Sequence, residues 1–516
     1  MAEHHDSGGP PALQRLRGWN GAWEGLRVAV TGLGVTGFSA ADTLAELGAQ
    51  VVVVDAEQTQ KKQLDADTLR LVGVHDIRFG PDAVSTLPQI VGAAPDLVIT
   101  SPGWRPDSPL IAAAAEKAIP VWSDIQLAHR LGARPAATQP QWLTVTGTNG
   151  KTTTVQLLES MLIAAGKRAV ACGNIGMPIL DAIRDPEGFD VLAVELSSFQ
   201  LHYTEPLSAT ASAVLNIAED HVDWHGGYAG YMADKARIYN GTVHACVYNA
   251  EDPVTEQMVA EADVVEGCRA IGFTTDTPEV SMLGLVEDVL VDRAFLDDRR
   301  NQALELGTRA DFTELAPKHM VANTLAAAAL ARSVGVAPEA VQQAMRGYEL
   351  AEHRIQPVAK AEDVLWVNDT KATNPHAAAA ALESFTDVVW IAGGLPKGID
   401  YDALIQRVGH RLQHVVLIGT DSSQLRSSLQ RHAPGVPVIG GELREDGTAE
   451  ALRCSAGRTA MRAAVLEAAR VAEAGQTVLL APAAASMDQF DSYGDRGAAF
   501  IEAVAELMAR KGFSID

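Results

Sequence analysis

The chain has 516 residues and a formal net charge of −24, and its length predicts roughly three domains instead of one core. The acidic balance argues against DNA or RNA as a partner, because a phosphate backbone attracts Lys and Arg. The 4 cysteines are widely scattered, which indicates a reducing cytoplasm and not a disulfide framework or a zinc cluster. No apolar run reaches the roughly 18 residues of a membrane helix, so no membrane span is expected.

The N-terminal part predicts a nucleotide-binding domain over residues 23–138, preceded by a polar stretch, residues 1–22, that predicts a disordered extension. A buried strand leads into the turn Gly32-x-Gly34-x-x-Gly37, and a helix and a second strand ending at Asp55 follow. Such a turn lets a pyrophosphate approach the backbone, and Asp55 would take a ribose hydroxyl. NAD and a nucleotide-diphosphate sugar both fit this pattern, and a purely structural tight turn is the alternative.

The second domain is expected over residues 139–350, after the linker "GARPAATQPQ", and it opens with "VTGTNGKTTT". A strand precedes this stretch and a helix follows it, so its backbone N–H groups would cradle phosphate. Only two residues separate Gly147 from Gly150, whereas the common phosphate loop has four. Lys151 would add a positive charge, and the Thr152 hydroxyl would reach Mg²⁺. An ordinary glycine turn capped by threonines is the alternative.

Two polar segments follow strands of this domain. Glu195 ends the strand "DVLAVEL", where a carboxylate faces the ligand crevice of a parallel sheet and would hold Mg²⁺; a solvated acid at the end of a strand is the alternative. "NIAEDHVDWHG" places His221 and His225 among acids. Zinc would suit two histidines, but no matching Cys/His pair occurs elsewhere in the sequence, and a polar turn explains the segment equally well. Residues from about 270 to 315 predict a β-rich elaboration.

A third α/β domain is expected over residues 351–516, after "GYELAEHRIQPV". Its strands end in three polar or glycine-rich turns, "NDTKATNP", "GGLPKG" and "APAAASMDQFDSYGDRG". The carboxyl ends of parallel strands share one edge of a sheet. The turns therefore predict a carboxylate-binding crevice, with three separately capped turns as the alternative.

Taken together, these segments resemble the Mur ligases, the ATP-dependent amide ligases of peptidoglycan synthesis. "TGTNGKTTT" is similar to the shortened phosphate loop of that family. "GNIG", "ELSSFQL", "LNIAEDHVDWHG", "YMADKARIY", "EHRIQPV", "VNDTKATNP" and "LLAPAAASMDQFDSYGDRGAAF" follow in order, so the resemblance extends from about residue 26 to about residue 508. "GLGVTGFSAA", "SPG" and "PAAASMDQF" resemble the family member that adds D-glutamate to UDP-N-acetylmuramoyl-L-alanine. Ala56, Glu57, Ala481 and Ala484 depart from its pattern.

The resemblance implies an α/β protein of three domains: a Rossmann-like N-terminal domain for the UDP substrate, a central P-loop ATPase-like domain with a mainly parallel sheet, and a Rossmann-like C-terminal domain for the amino acid. It implies a cytoplasmic, monomeric enzyme that uses ATP and two Mg²⁺ ions. ATP would phosphorylate the substrate carboxylate, and the amine of D-glutamate would displace the phosphate from the acyl phosphate. Lys235, which sequence alone would leave as an exposed helical lysine, would be carboxylated.

The resemblance also assigns roles to individual residues. The catalytic residues would be Lys151, Glu195, His221, Lys235 and Lys371. Thr152, Glu195, His221 and Lys235 would bind the metal ions. ATP would be held by Gly147, Thr148, Asn149, Gly150, Lys151, Thr152, Thr153, Asn323, Arg354 and Asp369. The UDP substrate would be held by Gly34, Val35, Thr36, Asp55, Ser101, Gly103, Asn174, Gln200 and His221, and D-glutamate by Thr373, Lys397, Ser486 and Tyr493.

Three alternatives stay open at the level of sequence. An NAD-dependent oxidoreductase would explain the N-terminal glycine turn, but it leaves the Gly147 loop and the third domain without a role. An ATP-binding regulator with a decayed site is disfavoured because Lys151, Glu195, His221, Lys235 and Lys397 are all present. A Mur ligase that adds a different amino acid is the nearest alternative.

Overall fold

A computed structural model of the protein describes residues 15–312, 316–348, 353–395, 398–440, 448–454 and 456–512. These residues form three sheets and two compact units, of which the first contains the first two sheets and the second contains the third. Most strands pair in parallel, so the expected α/β class is confirmed. Within the described ranges, no helix has the length and apolar character that crossing a membrane requires. The predicted residue Lys397 lies outside the described residues.

Ten helices and strands build the N-terminal part: β1 (Arg27–Thr31), α1 (Val35–Glu46), β2 (Gln50–Asp55), α2 (Gln60–Leu71), β3 (Asp76–Phe79), α3 (Pro81–Ser85), β4 (Leu97–Thr100), α4 (Pro109–Glu116), β5 (Val121–Ser123) and α5 (Asp124–Leu131). The sheet order is β3-β2-β1-β4-β5, and every pair is parallel. Strands β1, β2 and β4 are rich in Val and Ile and mostly buried, as parallel strands covered on both faces are. The order reverses between β1 and β4, so the turns after these two strands open a crevice.

The segment just before β1 is folded onto this domain. Leu16 is 2% exposed and Trp23 1%. Trp19 donates its indole N–H to the carbonyl of Gly132 at 3.1 Å, and the guanidinium of Arg134 lies 4.7 Å from the centre of the Trp19 ring. Residues 15–22 therefore do not form the disordered extension that their polar composition predicts, because a few large apolar side chains anchor them.

The central part begins with the strand that precedes residues 147–150 and ends with two helices. Its elements are β6 (Gln141–Thr146), α6 (Lys151–Ala164), β7 (Ala169–Gly173), α7 (Ile179–Arg184), β8 (Val191–Glu195), α8 (Ser198–His202), β9 (Ala211–Val214), α9 (Tyr228–Ala236), β10 (Ala245–Asn249), α10 (Pro253–Ala260), β11 (Arg269–Phe273), β12 (Met282–Val286), β13 (Val289–Asp292), β14 (Leu304–Thr308), α11 (Lys318–Ser333) and α12 (Pro338–Gly347).

The strand order of the central sheet is β14-β13-β12-β11-β10-β9-β6-β8-β7. Strands β6 to β12 pair in parallel, whereas β13 and β14 add an antiparallel edge. This edge confirms the expected β-rich elaboration. Strand β6 lies between β8 and β9, so the loops that follow these three strands meet at one edge of the sheet.

Side chains from the N-terminal and central parts pack together within the first compact unit. One hydrophobic cluster includes buried residues of α1, α5 and α7. Polar contacts surround it: Ser39 donates to Asp181 at 2.6 Å, and Glu46 pairs with Arg134 at 2.7 Å and with Arg184 at 3.0 Å. The two sheets of this unit are thus held together by apolar burial and by ion pairs.

The third sheet belongs to the second compact unit. Its elements are β15 (Gln356–Ala361), β16 (Val364–Asn368), α13 (Pro375–Leu382), β17 (Val388–Gly393), α14 (Asp402–Val408), β18 (Leu412–Ile418), α15 (Ser423–His432), β19 (Val438–Ile439), α16 (Thr448–Arg453), α17 (Gly457–Val471), β20 (Thr477–Leu480) and α18 (Tyr493–Lys511). The strand order is β15-β16-β20-β17-β18-β19, with only the β15–β16 pair antiparallel among these strands. The domain boundaries at residues 138 and 350 stay predictions.

Replacing Leu16 by Ala should lower the free energy of unfolding by about 2–4 kcal/mol, because the change removes buried methyl groups and leaves a cavity. Chemical denaturation of the full chain measures this loss. Arg17, the exposed neighbour of Leu16, supplies the control, and Arg17→Ala should leave the midpoint almost unchanged. Equal midpoints for both variants would show that residues 15–22 do not contribute to the core.

Candidate active site

The loop from Gly147 to Gly150 connects β6 to α6 in a conformation that requires glycine at both ends. Gly147 has φ +152° and Gly150 has φ +83°. A Cβ atom at Gly147 would lie 3.0 Å from Cβ of Leu215, and one at Gly150 would lie 2.4 Å from Oδ1 of Asn323. The loop is therefore closely packed, and the predicted residue Asn323 lies directly beside it. Thr152 and Thr153 are in the first turn of α6.

The segment after β9 supports this loop. The Thr148 hydroxyl accepts a hydrogen bond from the backbone N–H of Ala218 at 2.9 Å and forms another with the Tyr231 hydroxyl at 2.8 Å. The backbone N–H of Asn149 donates to Oδ1 of Asn216 at 2.9 Å. Sequence reasoning missed Asn216 and Tyr231. The one signal in the sequence was that Tyr231 precedes Lys235 by one helical turn, which places the two side chains on the same face of the helix.

Two lysine side chains meet beneath the loop. Nζ of Lys151 and Nζ of Lys235 each donate to the carbonyl of Gly147 at 2.9 Å. Lys235 is only 2% exposed, and its ammonium lies 5.0 Å from the centre of the Tyr231 ring. Burial, and then the charge of Lys151, lower the pKa of Lys235 well below its usual value. Lys235 is therefore a buried residue of the site and not an exposed helical lysine.

Glu195 presents a carboxylate oxygen that the described protein does not satisfy. The residue ends β8 and is 2% exposed. Its Oε1 accepts a hydrogen bond from the Asn174 side chain at 3.0 Å, while its buried Oε2 has no hydrogen-bond partner among the described residues. Buried polar atoms are normally paired, and a carboxylate oxygen is a preferred ligand of Mg²⁺. The residue thus fits the predicted role of a metal ligand.

A cavity of about 240 Å³ is lined by Lys151, Lys235 and Asn174, whereas Glu195, which Asn174 contacts, is not on its wall. His221 lies on its wall with φ +50°, an unusual conformation for a residue other than glycine and one that is often found at functional sites. Trp224 donates its indole N–H to the carbonyl of Gly103 at 3.1 Å, which fixes the N-terminal part beside the cavity. The lining residues are Pro102, Gly103, Thr148, Lys151, Asn174, Ser197, Ser198, Phe199, Asp220, His221, Tyr231 and Lys235.

A hydrogen-bonded chain behind the cavity holds the helix that carries Lys235. Oδ2 of Asp234 lies 2.7 Å from Nδ1 of His225 and 2.9 Å from Nδ1 of His202, and Nε2 of His225 lies 3.0 Å from the Ser198 hydroxyl. His225, Asp234 and His202 are close enough together to hold a metal ion, so two further candidate ligands do join His225 of "DHVDWHG". Both histidines are already hydrogen-bonded to Asp234, which favours a role in fixing α9.

Asp55 holds the N-terminal glycine turn. Its Oδ2 accepts from the backbone N–H of Leu33 at 2.7 Å, and its Oδ1 accepts from the backbone of Glu57 and from Nζ of Lys62, both at 2.8 Å. Burial alone would raise the pKa of Asp55. The hydrogen bonds, of which the one from Lys62 has the largest effect, outweigh burial, so the pKa is lowered. Asp55 therefore shapes the turn, and its contact with a ribose hydroxyl stays a prediction.

The other predicted UDP ligands of the N-terminal part lie near this turn. Gly34 and Val35 are exposed at the start of α1, with Thr36 beside them. The buried hydroxyl of Ser101, after β4, has no hydrogen-bond partner among the described residues. Apart from Gly103, the structure does not place these residues on the wall of the central cavity.

Gln200 does not line the cavity either. The residue is 2% exposed. Its Oε1 accepts from the backbone N–H of Ser197 at 3.0 Å, and its Nε2 donates to Oδ1 of Asp124 at 3.1 Å. Ser197 and Gln200 form a capping box at the start of α8, a pattern that "SSFQ" could have disclosed. Burial raises the pKa of Asp124 to about 6, against the opposing effect of the Gln200 hydrogen bond.

Within the second compact unit, the predicted residues gather after β16 and β20. Asp369 follows β16 and accepts at Oδ1 from the backbone N–H of Ile355 at 3.3 Å. Burial raises the pKa of Asp369 to about 6, although the charge of Arg354 opposes the shift. Nζ of Lys371 lies 5.2 Å from the centre of the Tyr493 ring. Thr373 and Ser486 lie on the loops after β16 and β20, and Ser486 is only 3% exposed.

Arg496 joins these two loops and was missed from sequence, because a lone arginine in a helix reads as a surface residue. It is fully buried. Its guanidinium donates to Oγ1 of Thr370 at 2.9 Å, to the carbonyl of Thr370 at 3.0 Å and to the carbonyl of Ala484 at 3.1 Å. Burial lowers the pKa of Arg496 to about 9.

Ala481 and Ala484, which depart from the family pattern, make contacts through their backbone carbonyls. The carbonyl of Ala481 accepts from the indole N–H of Trp390 at 2.7 Å, and that of Ala484 accepts from Arg496. Neither contact depends on the side chain at these two positions.

Family models match most of the chain in three consecutive blocks. Residues 26–123 match the Mur ligase MurD-like N-terminal domain, residues 145–331 match the Mur ligase middle domain, and residues 353–484 match the Mur ligase glutamate ligase domain. Two solved structures share the fold. UDP-N-acetylmuramate-alanine ligase MurC from Thermotoga maritima has a TM-score of 0.52 at 18% identity, and a pseudomurein peptide ligase type C from Methanothermus fervidus has 0.54 at 14%. Each match covers 93% of this chain and 100% of the other.

Curated relatives are similar over nearly the whole chain. The UDP-N-acetylmuramoylalanine--D-glutamate ligase of Streptomyces avermitilis is 51% identical, over 94% of this chain and 99% of its own length. The protein of the same name from Leifsonia xyli subsp. xyli is 49% identical, over 96% and 95%. The chain therefore belongs to the Mur ligase family, alongside relatives that carry this one name.

Replacing Asp124 by Asn should change how stability depends on pH. The pKa of Asp124 is raised in the folded chain, so its protonated carboxyl group contributes fully to stability below about pH 4, and this contribution is lost as pH rises through about 6. Between pH 4 and pH 8, the free energy of unfolding of the variant should therefore rise by about 1–3 kcal/mol relative to that of the wild type. Denaturation at both pH values measures this gain, and the exposed Asp82→Asn is the control. A pH-independent difference would contradict the raised pKa.

Proposed function

We propose that this chain is an ATP-dependent amide ligase that joins D-glutamate to UDP-N-acetylmuramoyl-L-alanine through an acyl phosphate. The observation that carries the proposal is that half-buried Lys151 and buried Lys235 meet at a glycine loop on the wall of the central cavity. Glu195 lies near Lys235, and its Oε2 has no hydrogen-bond partner among the described residues. The shared name of relatives at 49–51% identity supports the choice of substrates. We further propose that the chain works as a monomer, and in the cytoplasm, where ATP is available.

The first chemical step transfers the γ-phosphoryl group of ATP to the carboxylate of the UDP substrate. Backbone N–H groups of residues 147–150 and the N-terminus of α6 would hold the phosphates. Lys151 would leave the Gly147 carbonyl for the transferring group and neutralise its charge. Asn174 and His221, both on the cavity wall, would orient the attacking carboxylate. Asn323, beside Gly150, would face the adenosine.

Divalent cations fit the donors of this site. Thr152 and Glu195 would hold one Mg²⁺ and His221 and Lys235 a second, and the ions would screen the charge between phosphate and carboxylate. An amine is a poor ligand for Mg²⁺, which prefers oxygen. A carboxylated Lys235 would supply that oxygen. Its buried amine, with a pKa lowered well below the usual value, is uncharged more readily than an exposed lysine and so can react with CO₂.

The remaining assignments divide between the two units. In the N-terminal part, Gly34, Val35, Thr36, Asp55, Ser101 and Gly103 would bind the UDP moiety, with Gln200 supporting the muramoyl arm. In the second unit, Arg354 and Asp369 would bind ATP, and Lys371 would act in catalysis. Thr373, Lys397, Ser486 and Tyr493 would hold D-glutamate. Positive charge at this pocket suits an amino acid with two carboxylates.

Purified enzyme given ATP, Mg²⁺ and UDP-N-acetylmuramoyl-L-alanine should release ADP when D-glutamate is added. A coupled ADP assay measures this, with L-glutamate, L-alanine and diaminopimelate as matched acceptors. We expect turnover with D-glutamate alone, because the acceptor pocket recognises both the configuration and the second carboxylate. Turnover with another acceptor but not with D-glutamate would refute the specificity while leaving the ligase chemistry intact.

Lys235→Ala should reduce turnover by about 10²–10³-fold, because it removes a ligand that stabilises the developing charge. Short carboxylates added to the assay should restore part of the loss. Wild-type enzyme in ¹³C-bicarbonate should also show a carbamate carbon signal by NMR that Lys235→Ala lacks. The exposed residue Lys117 provides the control, since Lys117→Ala should keep both activity and signal. A fully active Lys235→Ala would exclude the carbamate role.

A further inference from the structure

Two of the four cysteines are neighbours in the folded chain although 22 positions separate them in sequence. Sγ of Cys246 and Sγ of Cys268 lie 3.8 Å apart, and both are free thiols. Cys246 is on β10, and Cys268 immediately precedes β11, the adjacent parallel strand. The catalytic groups described above make no use of this pair.

The backbone holds both residues in place. Cys246 is paired with Ala270 in the ladder between β10 and β11. Beside it, the backbone N–H of Cys268 donates to the carbonyl of Val265 at 3.0 Å, and that of Arg269 donates to the carbonyl of His244 at 3.0 Å. The two sulfur atoms are therefore brought together by the sheet itself, so little backbone movement separates a thiol pair from a bonded one.

We propose that Cys246 and Cys268 form an oxidisable dithiol, which closes to an intramolecular disulfide when a peroxide oxidises Cys268. Cys268 is half-buried, whereas Cys246 is 2% exposed, so a small oxidant reaches Cys268 first. Its thiolate attacks the peroxide O–O bond, which gives a sulfenic acid and, from hydrogen peroxide, water. The Cys246 sulfur then attacks the sulfenic sulfur, the S–O bond breaks, and a second water leaves with the proton of the thiol. Two thiols and one peroxide thus give one disulfide and two waters.

The environment of the pair favours this order of events. The hydrogen bond between the two thiols lowers the pKa of Cys268, whereas the same hydrogen bond and burial raise the pKa of Cys246. Sulfenic acid formation depends on thiolate character and access, so the more accessible thiol is also the more reactive. Cys172 is fully buried on β7, four strands away from β10 in the central sheet, so it does not compete for the partner.

The disulfide would close the loop that carries α10, and this loop contacts residues 215–217, which follow β9 beside the loop of residues 147–150. Asn249 donates to the carbonyl of Leu215 at 3.0 Å, and Oδ2 of Asp252 accepts from the backbone N–H of Ile217 at 2.8 Å. A cross-link over a loop of this size restricts the unfolded chain more than the folded one. The oxidised protein should therefore be the more resistant to heat.

Peptide mapping of peroxide-treated, full-length protein tests the proposal directly. Trypsin leaves both thiols in one peptide, residues 238–269, because no Lys or Arg lies between them. After oxidation this peptide should be lighter by two hydrogen atoms and resist alkylation. Cleavage at Glu251, Glu256, Glu261 and Glu266 should leave the two cysteine fragments joined until a thiol reductant is added. The thermal midpoint should rise on oxidation and return on reduction.

Single-cysteine variants distinguish the roles of the two sulfur atoms. In Cys246→Ala, peroxide with the sulfenic-acid trap dimedone should leave a dimedone adduct on Cys268, whereas in the wild type the disulfide should suppress it. Cys268→Ala should give neither product, and Cys454→Ala should behave as the wild type does. Free, alkylatable thiols in the oxidised wild type would overturn the proposal, and this measurement does not depend on the folding of any variant. A disulfide that includes Cys172 or Cys454 would overturn it equally.

Discussion

Two lysine side chains share one backbone oxygen in the central domain. Lys151 and Lys235 both donate to the carbonyl of Gly147, in a place where Lys235 is almost completely buried. Burial and the charge of Lys151 both make a proton on Lys235 costly, and the carbonyl dipole and the carboxylates of Asp220 and Glu195 offset only part of that cost. An anionic ligand removes that cost when it binds. The arrangement therefore stores a preference for phosphate and carboxylate groups before any substrate arrives.

The surrounding structure keeps the two lysines in place. One is fixed by the glycine loop, which Asn323 and Leu215 confine. The other is on α9, where Asp234 is tied through His225 to Ser198. These contacts come from segments that follow different strands of the central sheet. A parallel sheet brings such segments to one edge, so the positions of the charges depend on strand order as well as on nearby sequence.

Local signals explain what could be predicted from the sequence. The glycine loop, Glu195 at the end of its strand and the alternation of strands and helices are all written within short windows. Tyr231, Asn216 and Arg496 act through partners far away in sequence. Apart from the position of Tyr231 one helical turn before Lys235, nothing in their own neighbourhoods distinguishes them from ordinary helix or loop residues. The packing of Leu16 and Trp19 was missed because the overall composition of their segment is polar. Composition describes such a segment as a whole, whereas burial is decided by single side chains.

The contact between Asn323 and Gly150 has a consequence for how the chain is made. About 170 residues separate these two positions, and synthesis proceeds at about 5–20 residues per second. The strand and helix on either side of the loop can be complete for roughly 10 to 30 seconds before Asn323 leaves the ribosome. During that interval the loop of residues 147–150 in the nascent chain lacks the Asn323 side chain that packs against it. A ligand that binds the loop early would therefore meet a looser site than the finished protein offers.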